Sequence, residues 1–466
     1  MGSEQGAAHP REQRVRELVD AICGRGWDAP STANLERAEA FLEAEPALCR
    51  EDFVLACASG ELDVVRQRLD EDPGLATREL GPRGWQPLVY AAYSVLSKRH
   101  DERAARITQV GALLLERGAS PNSGYTARVA GDPTLHSFPV LFACVHVSEN
   151  LSLAERLLEA GANPNDGQSL YHAVERFDTA VLDLLYRFGL EPESVSYCML
   201  HQIDLGYLAG VRWFLDHGAD PNVKHPTGLS ALHWAIMRPG TSQVIELLLE
   251  RGADARATTR AGLSALDMAE RHHGKVEVVP ALERHGSARG ERTPLDELII
   301  AAAHGDEQRA RALFEARPGL LSELRAGDRS RVSAFAEAGN RKGAVILARL
   351  GFDAASPSWM GMTPLHWAAC RGNPEMLREL LDAGAPLLDA PGFGTPLHTA
   401  LYQRWSSFGY RPGESDYVGV VRVLLDAGVA VPADLRPSGD AAIDALIDAS
   451  RARLPSDDEP PTPRAG

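Results

Sequence analysis

At 466 residues, the chain is longer than an ordinary single domain, so it forms either several domains or an array of repeats. Its formal net charge of −16 at pH 7 disfavours non-specific binding to nucleic acids or to anionic membranes. No apolar run is long enough to cross a membrane, and the first residues lack the apolar core of a secretory signal. We therefore expect a cytoplasmic protein that binds neither nucleic acid nor membrane.

Cysteine and lysine usage indicates the redox compartment and the source. The six cysteines include no C-x-x-C pair, and Cys57 and Cys370 take equivalent positions in short apolar segments. We expect all six to be reduced core residues rather than disulfide partners or metal ligands. The basic residues are nearly all arginine, which together with frequent alanine and glycine suggests a GC-rich, bacterial genome.

The N-terminal 50 residues predict two helices. Apolar residues recur at helical spacing over 11–23, and a second helix begins near Asn34. The end of that second helix, residues 41–48, is similar in sequence to residues 68–75. Residues 1–50 are therefore predicted to be a degenerate half-repeat that caps the array.

A helix that ends in glycine recurs along most of the chain. Each copy has an apolar face followed by a short polar end and a glycine, which adopts the left-handed backbone of a helix end at little cost. The nine glycines are Gly118, Gly161, Gly189, Gly218, Gly252, Gly286, Gly351, Gly384 and Gly428. Nine copies in phase indicate an internal repeat.

The clearest copy occupies residues 362–398. Thr363 and Pro364 are typical of a helix start, and the pair Asn373-Pro374 opens a second helix that ends at Gly384. The next T-P-L-H motif begins at Thr395. This pattern resembles the ankyrin repeat, a unit of about 33 residues with a turn and two helices.

The resemblance implies an all-α repeat solenoid of stacked ankyrin helix-turn-helix repeats with short β-hairpin turns, about 11 in number when degenerate repeats are included. We expect one ankyrin block over 51–290, a second over 295–435, a capping helix over 436–454 and a disordered tail over 455–466. Two blocks are expected because residues 58–75 align with residues 303–320. The sequence leaves open whether the blocks stack continuously or hinge near 287–292.

Three insertions interrupt the repeat, at 98–106, 122–138 and 401–417. In repeat arrays such insertions form loops on one face, which is often the binding face. The last insertion is rich in aromatic residues, which either fold back on the final repeats as a lid or contact a partner. These residues are Tyr402, Trp405, Phe408, Tyr410 and Tyr417.

The resemblance also assigns roles to recurring residues. A histidine in the fourth position of the T-P-L-H motif is expected to be structural, forming hydrogen bonds around the turn and the helix start. The expected structural signature comprises His172, His233, His366 and His398 with Gly161, Gly218, Gly252 and Gly384. Trp234 and Trp367 follow this histidine on the expected concave side, where they either pack against neighbouring helices or contact a partner.

Motifs for nucleotide binding, for a nucleophile elbow and for a zinc protease are absent from the sequence. We therefore predict a monomeric, non-catalytic scaffold without cofactor or metal, which binds a protein partner through its concave face and insertion loops. One alternative is a regulatory inhibitor, an effector or an immunity-type protein that blocks a target enzyme. A lesser alternative is an enzyme that uses Glu414 and Asp416 as acid and base.

Overall fold

The computed structural model describes residues 10–24, 32–98, 100–128, 134–238, 240–405, 415–432, 435 and 438–452, with only the backbone described at 10, 32–34 and 402–405. The chain divides into two compact units. The first unit comprises Met1–His201 with Asp216–Ala219, and the second comprises Gln202–Leu215 with Asp220–Gly466. The predicted junction at 287–292 therefore lies inside the second unit.

Helices of the first unit follow one another as short first helices and longer second helices. They are α1 (Pro10–Ile22), α2 (Thr32–Ala44), α3 (Pro46–Glu51), α4 (Phe53–Ser59), α5 (Leu62–Glu71), α6 (Pro87–Ala92), α7 (Asp101–Glu116), α8 (Val140–Phe142), α9 (Leu151–Glu159), α10 (Ser169–Ala173), α11 (Thr179–Arg187) and α12 (Pro192–Asp204), the last of which contains the unit boundary. Residues 101–106 of the first insertion, 98–106, form the start of α7. Helix α8 continues into a π-helical turn, Ala143–Val147, and α10 continues into a 3-10 turn, Val174–Arg176.

The described residues of the second insertion, 122–138, contribute to a two-stranded antiparallel sheet. Strand β1 (Gly124–Arg128) pairs with β2 (Leu135–Pro139), with Gly124 opposite Pro139. The ring of Tyr125 stacks on Trp85 with centroids 4.6 Å apart, and on Phe138 at 5.3 Å. This aromatic packing holds the hairpin against the helices of the first unit.

The second unit repeats the helix pairs more regularly. Its helices are α13 (Leu208–Asp216), α14 (Ala231–Met237), α15 (Ser242–Glu250), α16 (Ala265–Asp267), α17 (Val279–Arg284), α18 (Pro294–Ala303), α19 (Glu307–Ala316), α20 (Arg331–Ala338), α21 (Arg341–Arg349), α22 (Pro364–Cys370), α23 (Pro374–Asp382), α24 (Pro396–Trp405), α25 (Tyr417–Asp426) and α26 (Ala441–Arg451). One apolar core runs through the later repeats and includes Leu298, Phe335, Leu365, Leu377 and Leu424, all fully buried. Burial of a leucine side chain contributes about 1.5–3 kcal/mol. The helix pairs confirm the predicted all-α repeat class.

The helix ends are formed as the repeat pattern predicts. Asn373 caps α23, because its side-chain oxygen accepts a hydrogen bond from the backbone N–H of Met376 at 2.9 Å. Gly384 ends that helix with a φ of +89°, and a β-carbon there would meet no atom within 4 Å. Glycine is thus favoured at this position by backbone conformation rather than by lack of space.

Turn asparagines link successive repeats within each unit. In the second unit the Asn222 side chain donates to the Gly252 carbonyl at 3.1 Å and accepts from the backbone N–H of Asp254 at 2.7 Å. In the first unit Asn122 and Asn165 make the same pair of bonds to the following repeat. These asparagines therefore connect neighbouring repeats in addition to forming their own turns.

Ion pairs bridge the segment 287–292. Buried Glu270 lies 2.6 Å from Arg292 and 3.0 Å from His304, which follows α18. Further along, Arg271 lies 2.8 Å from Asp328. Helices before and after the predicted junction are therefore packed together in the second unit.

The six cysteines are buried and unpaired, as expected. Burial raises the pKa of the Cys370 thiol to about 12, so the unreactive thiol form dominates at neutral pH. Among the described residues, no helix is both long and apolar enough to span a bilayer.

Candidate functional site

An aromatic and charged cluster occupies the first helices and turns of the second unit. The Arg238 guanidinium lies 3.7 Å from the ring centroid of Trp234 and 4.4 Å from that of Trp359. Cation–π attraction favours this arrangement. We call these three residues the tryptophan–arginine stack. It joins the end of α14 to the turn that precedes α22.

Hydrogen bonds fix the stack at both ends. The Asp204 carboxylate accepts from the Trp234 indole N–H at 2.8 Å and from Arg238 Nε at 2.5 Å. The Trp359 indole N–H donates to Glu337 Oε1 at 3.0 Å. Whereas Arg238 is buried, Trp359 is 53% exposed. The stack therefore presents one large apolar ring to solvent in a fixed orientation.

Two buried titratable groups lie behind the stack. Burial raises the pKa of Glu337 to about 7, although the Trp359 hydrogen bond and the Arg238 charge act in the opposite direction. Burial lowers the pKa of Lys275 to about 7, and its ammonium group donates to Thr241 Oγ1 at 2.6 Å and to the Ala235 carbonyl at 3.2 Å. Both side chains are almost fully buried, which favours a structural role over direct contact with a substrate.

Trp234 and Trp367 are buried, with 6% and 4% of their surfaces exposed. The Trp367 indole N–H donates to Ser358 Oγ at 3.0 Å, in the same turn as Trp359. Of the two roles left open by the sequence, packing therefore describes these side chains better than direct contact. They support the turn that carries Trp359.

The aromatic insertion 401–417 is only partly described. The side chains of Tyr402 and Trp405, and all of Phe408 and Tyr410, lie outside the described residues. Tyr417 is buried and its hydroxyl donates to the Cys370 carbonyl at 2.8 Å, which favours packing over partner contact.

The acid–base alternative also falls on this insertion. Glu414 lies outside the described residues. Asp416 caps α25 by accepting from the Gly419 N–H at 2.7 Å, so helix capping is sufficient to explain it.

Three of the motif histidines bond to the start of their own helix. His233, His366 and His398 each place Nδ1 within 3.0 Å of a cap hydroxyl, from Ser230, Thr363 and Thr395 respectively. His366 Nε2 also donates to the Gly394 carbonyl at 2.9 Å. Because that carbonyl can only accept, Nδ1 of the neutral ring accepts from Thr363.

His172 departs from this expected role. The equivalent cap hydroxyl, that of Ser169, donates instead to Asp166 Oδ2 at 2.6 Å. His172 Nδ1 is buried and lies 3.4 Å from Glu175 Oε1, but makes no hydrogen bond within the described parts of the chain. The repeat motif therefore places His172 correctly on a first helix but does not account for its side chain.

Glu175 is the centre of a group of imidazoles in the first unit. His146 Nδ1 lies 3.7 Å from Glu175 Oε2, and one potential ligand atom from each of His146, His172 and Glu175 lies within 4.8 Å of the other two. We call these three residues the His–Glu cluster. His201, which lies on α12, places its Nε2 3.3 Å from Glu175 Oε1. Imidazole and carboxylate groups so arranged are capable of holding a metal ion.

Electrostatic interactions keep the His–Glu cluster in a protonation state that is able to bind a metal ion. Burial tends to raise the pKa of Glu175, but the imidazoles around it outweigh that effect and lower its pKa to about 2. Burial and the nearby His172 lower the pKa of His146. At neutral pH the cluster therefore contains a carboxylate and at least one neutral imidazole.

The backbone around the His–Glu cluster is unusual. Among the described residues, the non-glycine positions with positive φ are Glu149, at +55°, and Phe177, at +53°. They follow the turns that carry His146 and Glu175, and a left-handed backbone costs such residues about 1–2 kcal/mol. His146 and Glu175 were not candidates from the sequence. The H-x-x-E spacing of His172 and Glu175 does place these two residues on one helical face.

Comparisons with known proteins identify the repeat. Residues 199–292 match a family of ankyrin repeats in three copies, and residues 360–391 match a single ankyrin repeat. A search of curated proteins gives no significant match. Glycine-ended second helices also recur outside the matched segments. The chain therefore contains ankyrin repeats at residues 199–292 and 360–391.

Proposed function

We propose that this protein is a non-catalytic, cytoplasmic scaffold that binds a protein partner through the first-helix and turn surface of its second unit. Ankyrin repeats are generally protein–protein interaction modules and are typically not catalytic. One observation carries the proposal most directly. The half-exposed ring of Trp359 is held rigidly by Arg238 and Glu337, and fixed tryptophans commonly dominate binding energy.

The geometry supports a partner of particular chemistry. Arg238 already stacks on Trp359, so an additional contact on the exposed indole surface is best supplied by an apolar or aromatic side chain. Because the indole is fixed before binding, little side-chain entropy is lost on association. We propose that the aromatic insertion 401–417 provides a second contact, and that the free protein is a monomer.

The test is quantitative affinity capture from the native host. The full chain is compared with Trp359→Ala, with a deletion of 404–416 and with Leu388→Ala. Leu388 is a matched control, because it is an exposed apolar residue of the same unit outside the stack. We expect a protein retained by the full chain and by Leu388→Ala but lost with Trp359→Ala.

Equal retention by all four proteins, or no specific retention, would contradict the proposed surface. Loss of the partner only with the deletion of 404–416 would mean that the insertion, and not Trp359, is the binding site. If the retained partner is an enzyme, an assay of its activity with and without this protein distinguishes a scaffold from the alternative, an inhibitor or immunity-type protein.

A further inference from the structure

Histidines from neighbouring repeats converge on one carboxylate in the first unit. His146 lies in the π-helical turn after α8, whereas His172 and Glu175 lie on α10 and the 3-10 turn that continues it. His201 follows on α12. The stacking of repeats, rather than proximity in sequence, brings these groups together.

Two distances within the His–Glu cluster are close to those expected around a zinc ion. Zinc binds imidazole nitrogen and carboxylate oxygen at about 2.0–2.2 Å, so a tetrahedral ion separates its ligand atoms by about 3.4 Å. Glu175 Oε1 lies 3.4 Å from His172 Nδ1, and Glu175 Oε2 lies 3.7 Å from His146 Nδ1. One ligand atom from each of the three residues lies within 4.8 Å of the other two, so the side chains must move closer together to enclose an ion.

Surrounding residues hold the two imidazoles in place. The Phe142 ring stacks on His146 with centroids 5.4 Å apart and meets His172 edge-on at 5.1 Å. The Tyr171 ring stacks on His201 at 4.2 Å, which in turn lies beside Glu175. Orientation of ligands by such neighbours increases metal affinity.

Nearby cations are already neutralised. Lys98 and Arg176 both pair with Glu149, at 2.8 Å and 3.0 Å. Their charges are therefore offset locally and oppose an incoming cation less strongly. Within the His–Glu cluster, the buried Nδ1 of His172 makes no hydrogen bond to the described residues. A bond to a metal ion provides a partner for this nitrogen.

We propose that His146, His172 and Glu175 bind one Zn²⁺ ion, with the fourth coordination position taken by water. His201 acts as a positioning residue that holds the Glu175 carboxylate. The ion joins two successive first helices and so stabilises the first unit. This inference is independent of the partner-binding surface, which lies in the second unit.

The test is calorimetric titration of the chelator-treated full chain with Zn²⁺ alone. We expect one ion per chain, and a loss of affinity of tenfold or more in each of His172→Gln and Glu175→Gln. His201→Gln should weaken binding by roughly 10–100-fold, as removal of a supporting partner does. His100→Gln is the matched control, because His100 pairs with Glu39 at 3.1 Å and belongs to no group of three potential metal ligands among the described residues.

Two further measurements separate binding from folding. Co²⁺ should give the intense visible absorption of a four-coordinate site with the full chain and with His100→Gln, but not with His172→Gln. Zn²⁺ should raise the melting temperature of the full chain and leave that of His172→Gln unchanged, while circular dichroism confirms that the variant is folded. Absence of binding, or binding that survives both His172→Gln and Glu175→Gln, would overturn the proposal.

Discussion

Two π-helical turns among the described residues, Ala143–Val147 and Met268–His272, provide an internal comparison. His146 and Arg271 occupy the same position in these turns. Arg271 is buried and lies 2.8 Å from Asp328, and it also pairs with Asp296. His146 instead faces Glu175 at 3.7 Å and is partly exposed. The π-helical turn thus carries a buried ion pair in the second unit and a partly exposed group of potential ligand atoms in the first unit.

The difference follows from the chemistry of the two side chains. A guanidinium has donors only and remains charged, so it needs carboxylates around it once buried. A neutral imidazole retains a lone pair and tolerates partial exposure. We therefore interpret the buried arginine–aspartate network of the second unit as structural, and propose the partly exposed His–Glu cluster and the half-exposed Trp359 as contact sites for ligands.

The largest effect is expected from opening the buried network. Asp328→Ala removes the carboxylate that Arg331 contacts and leaves Arg271 with Asp296 alone. The buried positive charge that results should lower the free energy of unfolding of the second unit by about 3–5 kcal/mol. Chemical denaturation measures this loss. The control is Glu307→Ala, which removes a solvent-exposed pair with Arg311 and should cost less than about 1 kcal/mol. Similar losses for the two variants would mean that the buried network contributes no more to the free energy of unfolding than an exposed ion pair does.

A second prediction uses the buried carboxyl behind Trp359. The folded protein raises the pKa of Glu337 to about 7 from an ordinary value of 4.5. Glu337 therefore binds more protons in the folded state than in the unfolded chain between these values, so its own contribution to stability should fall as pH rises from about 4.5 to about 7.

Glu337→Gln removes this titration and keeps an oxygen acceptor for the Trp359 indole. At pH 8 the variant should be more stable than the natural chain by on the order of 2 kcal/mol, with most of the difference absent at pH 4.5. Denaturation midpoints at several pH values measure it. A difference that is independent of pH would contradict the burial of an ionisable carboxyl at this position.

A smaller effect is expected at a helix end of the second unit. Gly384→Val forces a β-branched residue into the left-handed conformation and should cost about 1–2 kcal/mol. Gly384→Asn should cost less, because asparagine tolerates this conformation. Thermal melting compares the two variants. Equal melting of Gly384→Val and the natural chain would show that the backbone can relax there.

The smallest effect on stability is expected at Trp359. Its ring is half-exposed, so Trp359→Ala should lower the free energy of unfolding by about 1 kcal/mol or less, mainly through the lost hydrogen bond to Glu337. Chemical denaturation gives the value. A loss as large as that of Asp328→Ala would assign Trp359 to the structural core and weaken its role in recognition.

Local sequence rules predict the helix pairs well, because caps, prolines and glycines act over a few residues. Asn373 and Gly384 illustrate this, since both form the predicted helix ends. The T-P-L-H motif likewise places His366 beside Thr363.

Contacts between repeats could not be predicted in the same way. His146 and Glu175 are 29 residues apart in sequence, and only the stacking of repeats brings them together. Trp359 lies in a turn, where no periodic sequence pattern predicts which side chains are exposed. Its orientation depends on the contact with Arg238, which lies more than 100 residues earlier in the sequence. Trp367, by contrast, was a candidate for partner contact because it follows the motif histidine. It is buried, and its indole N–H donates a hydrogen bond to Ser358.

The most direct measurement is the affinity of the captured partner for three purified proteins: the natural chain, Trp359→Ala and Leu388→Ala. If Trp359 is the main contact, its removal should weaken the Kd by roughly thirty-fold or more, equivalent to about 2 kcal/mol, while Leu388→Ala leaves the Kd unchanged. Equal Kd values for all three proteins would contradict the assignment of this surface to partner recognition.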